Sequence, residues 1–238
     1  MSALRRVDAS RRLGAATLAI VAISACSRGL IHHARTDLDV AVPDSFIVRF
    51  ETSRGSFDVM ARKAWAPNGT DRLYTLVRDR YYDDARFFRV VKDFVAQFGL
   101  AADPRRTAAW RVRAIADEPV RHTNARGTIS YARGGPGTRT TQLYVNLKDN
   151  ARLDTLNGFG FPPVAEVIAG MSVVDSLYSG YGEAARPGGR GQGPSQDSIN
   201  RQGNAYLTRG FPKLDFVKSA RVTREWRGPA PTSAAAVR

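Results

Sequence analysis

A chain of 238 residues with 43% hydrophobic and 24% charged side chains has ordinary globular composition, which excludes a wholly disordered protein. One cysteine excludes an internal disulfide framework and a zinc site built on several thiolates, and no apolar run reaches the roughly 20 residues of a spanning helix. The formal net charge of +14 sits mainly at the two ends, with residues 27–183 close to balance.

The chain opens with Arg5, Arg6, Arg11 and Arg12, followed by the uncharged stretch Leu13–Ala25 and then Ile23-Ser24-Ala25-Cys26 at its end. A positive region, a short apolar region and small residues before a cut site are expected of a bacterial secretory signal over residues 1–26. The I-S-A-C tetrapeptide resembles a lipobox, the site at which a bacterial lipoprotein is acylated on cysteine and cleaved before it. Cys26 is therefore the expected lipidation site, and acyl chains anchor stably because each buried CH₂ contributes about 0.8 kcal/mol. The expected location is the bacterial cell envelope, membrane-anchored and facing the periplasm or the exterior. Residues 27–44 lack periodicity and read as a flexible tether. His32 and His33 are adjacent there with no further ligands nearby, so no metal site is expected.

From residue 45 the pattern becomes β-rich. Phe46–Thr52 and Ser56–Met60 flank Ser53-Arg54-Gly55 and predict a hairpin. After the break at Ala66-Pro67-Asn68-Gly69, Thr70 or Asp71 is placed to cap a helix with Leu73, Leu76 and Val77 on its apolar face. Further strands are predicted at Phe87–Val91, Phe94–Phe98, Gly127–Ala132, Gln142–Asn146 and Val164–Ile168. Met171–Tyr178 reads as a second short helix and Asp215–Val222 as a closing strand. Many short strands with two helices predict a closed or nearly closed antiparallel barrel, with a sandwich as the alternative. The Gly-, Arg- and Gln-rich stretch at about 183–210 reads as an insertion before the last strand, and residues 226–238 as a disordered tail. The basic 184–238 end could attract anionic polymer, but no nucleic-acid motif accompanies it, so no specific nucleic acid partner is expected. Asp83-Asp84 and Asp117-Glu118 read as solvated acids in turns, and His122 as a loop residue.

The informative run is Phe87-Phe88-Arg89-Val90-Val91-Lys92-Asp93-Phe94-Val95-Ala96-Gln97-Phe98-Gly99. It resembles the F-H-R-V-I-x-x-F-M-x-Q-x-G signature of the cyclophilins, the peptidyl-prolyl cis–trans isomerases. Gly127-Thr128-Ile129-Ser130-Tyr131-Ala132, continuing through Gly135-Pro136 to Gln142-Leu143-Tyr144-Val145, resembles a second block of that family. Leu153-Asp154 and Gly170-Met171-x-Val173-Val174-Asp175 match later landmarks in order. Three ordered blocks are more specific than a lone short motif.

The resemblance, covering about residues 45–225, implies a mainly β, closed, eight-stranded antiparallel barrel capped by two helices. It implies rotation of X–Pro bonds with no cofactor and no metal. Arg89 resembles the catalytic arginine, and Gln97 the residue that holds it and donates to a substrate carbonyl. Phe94, Val95, Tyr144 and Leu153 would form the proline slot, Ala132 and Arg133 would offer backbone to the peptide, and Gln142 would line the groove. Three departures stand out: Arg152 replaces a common Trp, Phe161 stands where many members have a groove His, and Arg133 in place of Asn adds charge beside the groove. The implied partners are proline-containing polypeptides, handled by a monomer that assists folding of exported proteins. The alternative is a weakly catalytic or non-catalytic peptide-binding chaperone module on the same fold.

Overall fold

The computed structural model describes residues 41–185 and 191–228. The signal segment with Cys26, the tether up to residue 40 and the tail beyond residue 228 lie outside the described residues. Eight strands appear among those described: β1 (Ser45–Thr52), β2 (Gly55–Arg62), β3 (Arg89–Val91), β4 (Val95–Phe98), β5 (Thr128–Tyr131), β6 (Leu143–Asn146), β7 (Pro163–Ala169) and β8 (Val217–Trp226). They form one antiparallel sheet in the order β3-β4-β6-β5-β7-β2-β1-β8.

The barrel is not closed. The sheet curls into a half-barrel whose edge strands β3 and β8 share no ladder. Beside them, the neighbouring segments touch at the isolated bridge Arg86↔Phe216. What pairing there is comes from residues 84–87, ahead of β3: Asp84 N–H donates to Val217 O, Phe87 N–H to Asp215 O and Val217 N–H to Ala85 O, and β3 itself makes its ladder with β4 alone. Nor are there only two helices. The expected pair is α1 (Pro67–Arg78) and, after α2 (Pro104–Arg111), α3 (Met171–Asp175), to which α4 (Gln196–Gln202) and α5 (Asn204–Gly210) are added.

Strand alternation builds the core. Phe46, Val48 and Phe50 of β1 point inward against Phe57, Val59 and Ala61 of β2, and Phe50 stacks on Phe57 with ring centroids 5.1 Å apart. Helix α1 lays Leu73, Leu76 and Val77 onto the same core. Thr70 and Asp71 do not cap it. The helix starts earlier, at Pro67, a residue suited to the first turn because its missing N–H would be unpaired there anyway. The free N–H groups of Asn68 and Gly69 donate to the Glu118 carboxylate at 2.8 and 2.9 Å. That carboxylate is buried and also receives Arg139, whose side chain is fully buried, at 3.0 Å. Glu118 is thus no solvated turn acid; it serves the positive end of α1. Asp83 binds Arg221 of β8 at 2.8 Å.

The Gly-rich stretch is more structured than its composition suggested. Ser195 caps α4, and Ile199 and Leu207 pack with Phe88, Leu100 and Leu214 in a small second core flanked by Tyr181, Tyr206 and Phe211. This unit leans on the β3–β4 end of the sheet, which is where the candidate site lies.

Candidate active site

The site follows from the two-residue period of the strands. In β3, β4, β6 and β5, the residues Val90, Ala96, Phe98, Leu143, Val145, Ile129 and Tyr131 enter the main core. Their neighbours in sequence therefore point to the opposite face. Cross-strand register aligns Arg89 with Gln97, Gln97 with Tyr144, and Tyr144 with Ser130, giving one row of four across the sheet. Val95 lies two residues from Gln97 and shares its face.

On that face Val95, Tyr144 and Leu153 form a buried apolar cluster, with Phe94, Ala132, Leu156 and Phe161 packed against it. It is separate from the main core. The structure thus brings together the four slot residues Phe94, Val95, Tyr144 and Leu153, and packs Ala132 and Phe161 of the groove against them. Tyr144 meets Phe161 edge to face at 6.1 Å. Burial pushes the Tyr144 hydroxyl pKa upward, so it stays a protonated donor, to Asn124 Oδ1 at 3.1 Å.

The Arg89 guanidinium hangs over this cluster. Its Cζ lies 5.3 Å from the Phe94 ring centroid, and Arg152 approaches the same ring at 4.8 Å. Arg152, the departure from the family's tryptophan, thus lays a cation on Phe94. Arg89 Nη1 donates to Gln97 Oε1 at 3.1 Å; Gln97 Nε2 donates to Gln142 Oε1 at 2.9 Å; Gln142 Nε2 donates to Gln196 Oε1 at 3.1 Å. This chain of amides orients the guanidinium from below. From the other side, Arg89 Nε and Nη2 bind the two oxygens of Glu183 at 2.8 and 2.7 Å.

Arg133 does not add charge to the groove. Its side chain is fully buried, bound to Asp117 at 2.7 Å and to the carbonyls of Phe159 and Gly160, with Phe159 4.1 Å beneath its Cζ. Burial pulls its pKa down and the Asp117 carboxylate opposes that. The residue fastens the 159–161 turn that presents Phe161. Ala132 spends its N–H within the sheet, on Gln142 O at 2.9 Å.

Residues that sequence reading passed over support the slot from behind. Asn124, fully buried, donates from its side chain to Asp154 Oδ1 and Phe161 O, both at 2.8 Å. Its Oδ1 accepts from Ser130 Oγ, Tyr144 and Asn146. Burial would raise the Asp154 carboxyl pKa, but hydrogen bonds from Thr123 and Asn124 outweigh it and hold it below the usual range. Glu183 and Gln196 were missed for a different reason: they lie in the insertion, where no pattern marks them.

What this arrangement can do chemically is limited and specific. An apolar notch with a cationic fork above it binds a compact apolar ring and stabilises electron density developing beside it. Among the described residues no group of three or more His, Cys, Asp or Glu is placed to hold a metal ion.

Comparison with known proteins agrees. A family model described as cyclophilin type peptidyl-prolyl cis-trans isomerase/CLD matches residues 47–198. The chain is 32% identical over 137 residues to peptidyl-prolyl cis-trans isomerase cyp18 of Streptomyces antibioticus, covering 55% of this chain and 81% of that one. It is 30% identical over 172 residues to peptidyl-prolyl cis-trans isomerase A of Dickeya dadantii, covering 71% and 84%. A solved cyclophilin type peptidyl-prolyl cis-trans isomerase of Cryptosporidium parvum superposes with a TM-score of 0.54 at 17% identity, covering 76% of this chain and 99% of that one, a likeness of fold.

Proposed function

This chain belongs to the cyclophilin-type peptidyl-prolyl cis–trans isomerase family, and from that premise we propose that Arg89, above the slot of Phe94, Val95, Tyr144 and Leu153, carries its catalysis of X–Pro rotation. The observation that carries the assignment is the placement of the guanidinium over that slot, held by Gln97.

The mechanism needs neither a nucleophile nor a proton transfer. Conjugation gives the X–Pro amide a rotation barrier of about 20 kcal/mol and an uncatalysed exchange time of tens of seconds. Twisting breaks the conjugation and returns the lone pair to nitrogen. A cation facing that nitrogen favours the twisted state over the planar one, which is differential binding of the transition state. Each tenfold acceleration requires about 1.4 kcal/mol of such preference. Arginine suits the task because it stays charged and presents its donors in a rigid fork. The slot holds the proline ring while the preceding carbonyl turns. Gln97 aims Arg89 and has an amide to offer a substrate carbonyl. Phe161 walls the slot.

Proline-containing polypeptides are the substrates of this reading; a relative from Cryptosporidium parvum was solved in the presence of the dipeptide ala-pro. The binding-only reading has one observation in its favour, the carboxylate of Glu183 already seated on Arg89. NMR exchange spectroscopy on an Ala-Pro peptide separates the two. The isomerase reading expects faster cis–trans exchange, together with perturbed Phe94, Tyr144 and Leu153 resonances. Saturable binding without acceleration would leave a peptide-binding module.

The export reading completes the proposal. Residues 1–26 would direct the protein out of the cytoplasm, Cys26 would carry the acyl anchor, residues 27–44 would tether a monomeric domain to the bacterial envelope, and exported proteins would be its clients. Its support is the basic-apolar-I-S-A-C order of the N-terminus.

A further inference from the structure

Arg152 stands on the rim of the slot, and the surrounding chain fixes it there. Its 3₁₀ turn, Ala151–Asp154, is pinned through Asn150. The Asn150 N–H donates to Asn124 O at 2.8 Å, and Leu153 N–H donates to Asn150 O at 2.8 Å. The Asn150 side-chain amide donates to Phe94 O at 2.9 Å and to Asn146 Oδ1 at 2.8 Å. The residue after Arg152 is Leu153, buried in the slot, and the Arg152 Cζ lies 4.8 Å from the ring centroid of Phe94, a second slot residue. Arg152 itself is exposed.

Its charge has no carboxylate on it. Asp149 and Asp154 flank it in sequence, but both are engaged elsewhere. Asp149 accepts the Arg126 N–H at 2.8 Å. Asp154 accepts the Thr123 hydroxyl at 2.6 Å and the Asn124 backbone and side-chain amides at 2.8 Å. None of the ion pairs among the described residues includes Arg152. The other two arginines of the groove differ: Arg89 binds Glu183, and Arg133 is buried on Asp117. Of these three, only Arg152 presents its charge to solvent without a carboxylate. The Phe94 ring keeps its guanidinium beside the slot, so little freedom is left to lose when the fork pairs with a carboxylate.

We propose that Arg152 is a specificity-determining residue of the groove: it favours proline-containing chains that carry an Asp or Glu close beside the proline, and binds that carboxylate while the ring occupies the slot. The proposal rests on the slot of Phe94, Val95, Tyr144 and Leu153 being the proline site. The pair is exposed to water, so it is worth about a three-fold factor. Arg152 grips a flanking residue and not the rotating bond. It therefore holds the planar and twisted states alike, and the preference falls on KM with kcat left level across the peptides.

The test measures kcat and KM by exchange NMR for the purified wild-type protein, Arg152→Gln, Arg152→Lys and Arg152→Glu. The peptides are Ala-Pro peptides with a single Glu, Ala or Lys scanned one and two residues to either side of proline. Each protein is read as the ratio of its Glu to its Ala peptide, which cancels any loss common to all peptides from uncovering Phe94. The wild type is expected to show a KM about three-fold lower for the best-placed Glu peptide, and this preference should shrink in about 0.5 M salt. Arg152→Gln should abolish it, Arg152→Lys should keep most of it, and Arg152→Glu should move it to the Lys peptide. A wild type indifferent to the flanking charge, or a preference confined to kcat, overturns the proposal. So does a Glu preference that survives Arg152→Gln, which marks the general pull of a chain with net charge +14. Should none of the proteins accelerate exchange, the isomerase reading fails on its own. Peptide affinities from the same titrations then decide this inference: tighter binding of the Glu peptide that is lost in Arg152→Gln supports it, and equal affinities overturn it.

Discussion

At the scale of single residues, the apolar slot and its cation were legible because they fall within three short, ordered motif blocks. Arg89, Phe94, Val95 and Gln97 fall within nine residues and meet through one tight turn. Partners that arrive from far along the chain were not legible. Glu183 is 94 residues from Arg89, and Asn124 is 30 from Asp154. Arg133 was misplaced because sequence shows a charge but not the buried carbonyls and Asp117 that draw it inward. Asp154 yields a pH prediction. Its carboxyl titrates lower in the folded protein than in the unfolded chain, so its stabilisation is present above the unfolded value near 4 and fades as pH falls through the folded value. Asp154→Asn should cost about 1–3 kcal/mol at neutral pH, since its amide keeps one neutral oxygen for the Asn124 donors but loses the charge and turns an NH2 donor toward the Thr123 hydroxyl. Urea unfolding followed from pH 7 to pH 3 should show this cost shrinking toward acid; a constant difference across that range would contradict it.

At the scale of elements, all eight strands were legible as short runs rich in β-branched and aromatic residues, although β4, β5 and β6 are buried on both faces and show no alternation. The start of α1 was misjudged because its carboxylate partner, Glu118, comes from a distant loop. The insertion resisted reading since Gly, Arg and Gln mask the few apolar residues, Ile199 and Leu207, that order α4 and α5. Two substitutions probe these elements. Leu207→Ala should destabilise by about 2–5 kcal/mol through the cavity it opens in the second core, and should weaken the hold of the insertion on the groove. Gly160 has φ +58°, and a Cβ there would lie 1.9 Å from the Asp154 carbonyl oxygen. Gly160→Ala should therefore displace the turn bearing Phe161 and lower kcat/KM on neutral peptides at least ten-fold. Unchanged activity in that variant would mean that Phe161 does not shape the slot.

At the scale of the molecule, an open half-barrel leaves the β3 edge available to the insertion, which meets the sheet there through Phe88 and Leu100 and reaches the site through Glu183 and Gln196. Neither the openness nor this attachment was legible in the sequence pattern, since both depend on contacts between segments far apart in the chain, such as Phe88 with Leu207 and Ala85 with Val217. The export reading is tested at this scale too: Cys26→Ser should move the protein from the membrane to the soluble fraction of bacterial cells, and an unaltered distribution would remove the lipid anchor. The central claim is that the Arg89 cation lowers the rotation barrier, beyond binding the peptide. Exchange NMR at saturating Ala-Pro peptide, comparing wild type with Arg89→Lys and Arg89→Ala, measures it most directly. The account predicts that peptide affinity changes little while catalysed exchange falls about 100-fold in Arg89→Ala and less in Arg89→Lys. Equal catalysed rates in wild type and Arg89→Ala would contradict it.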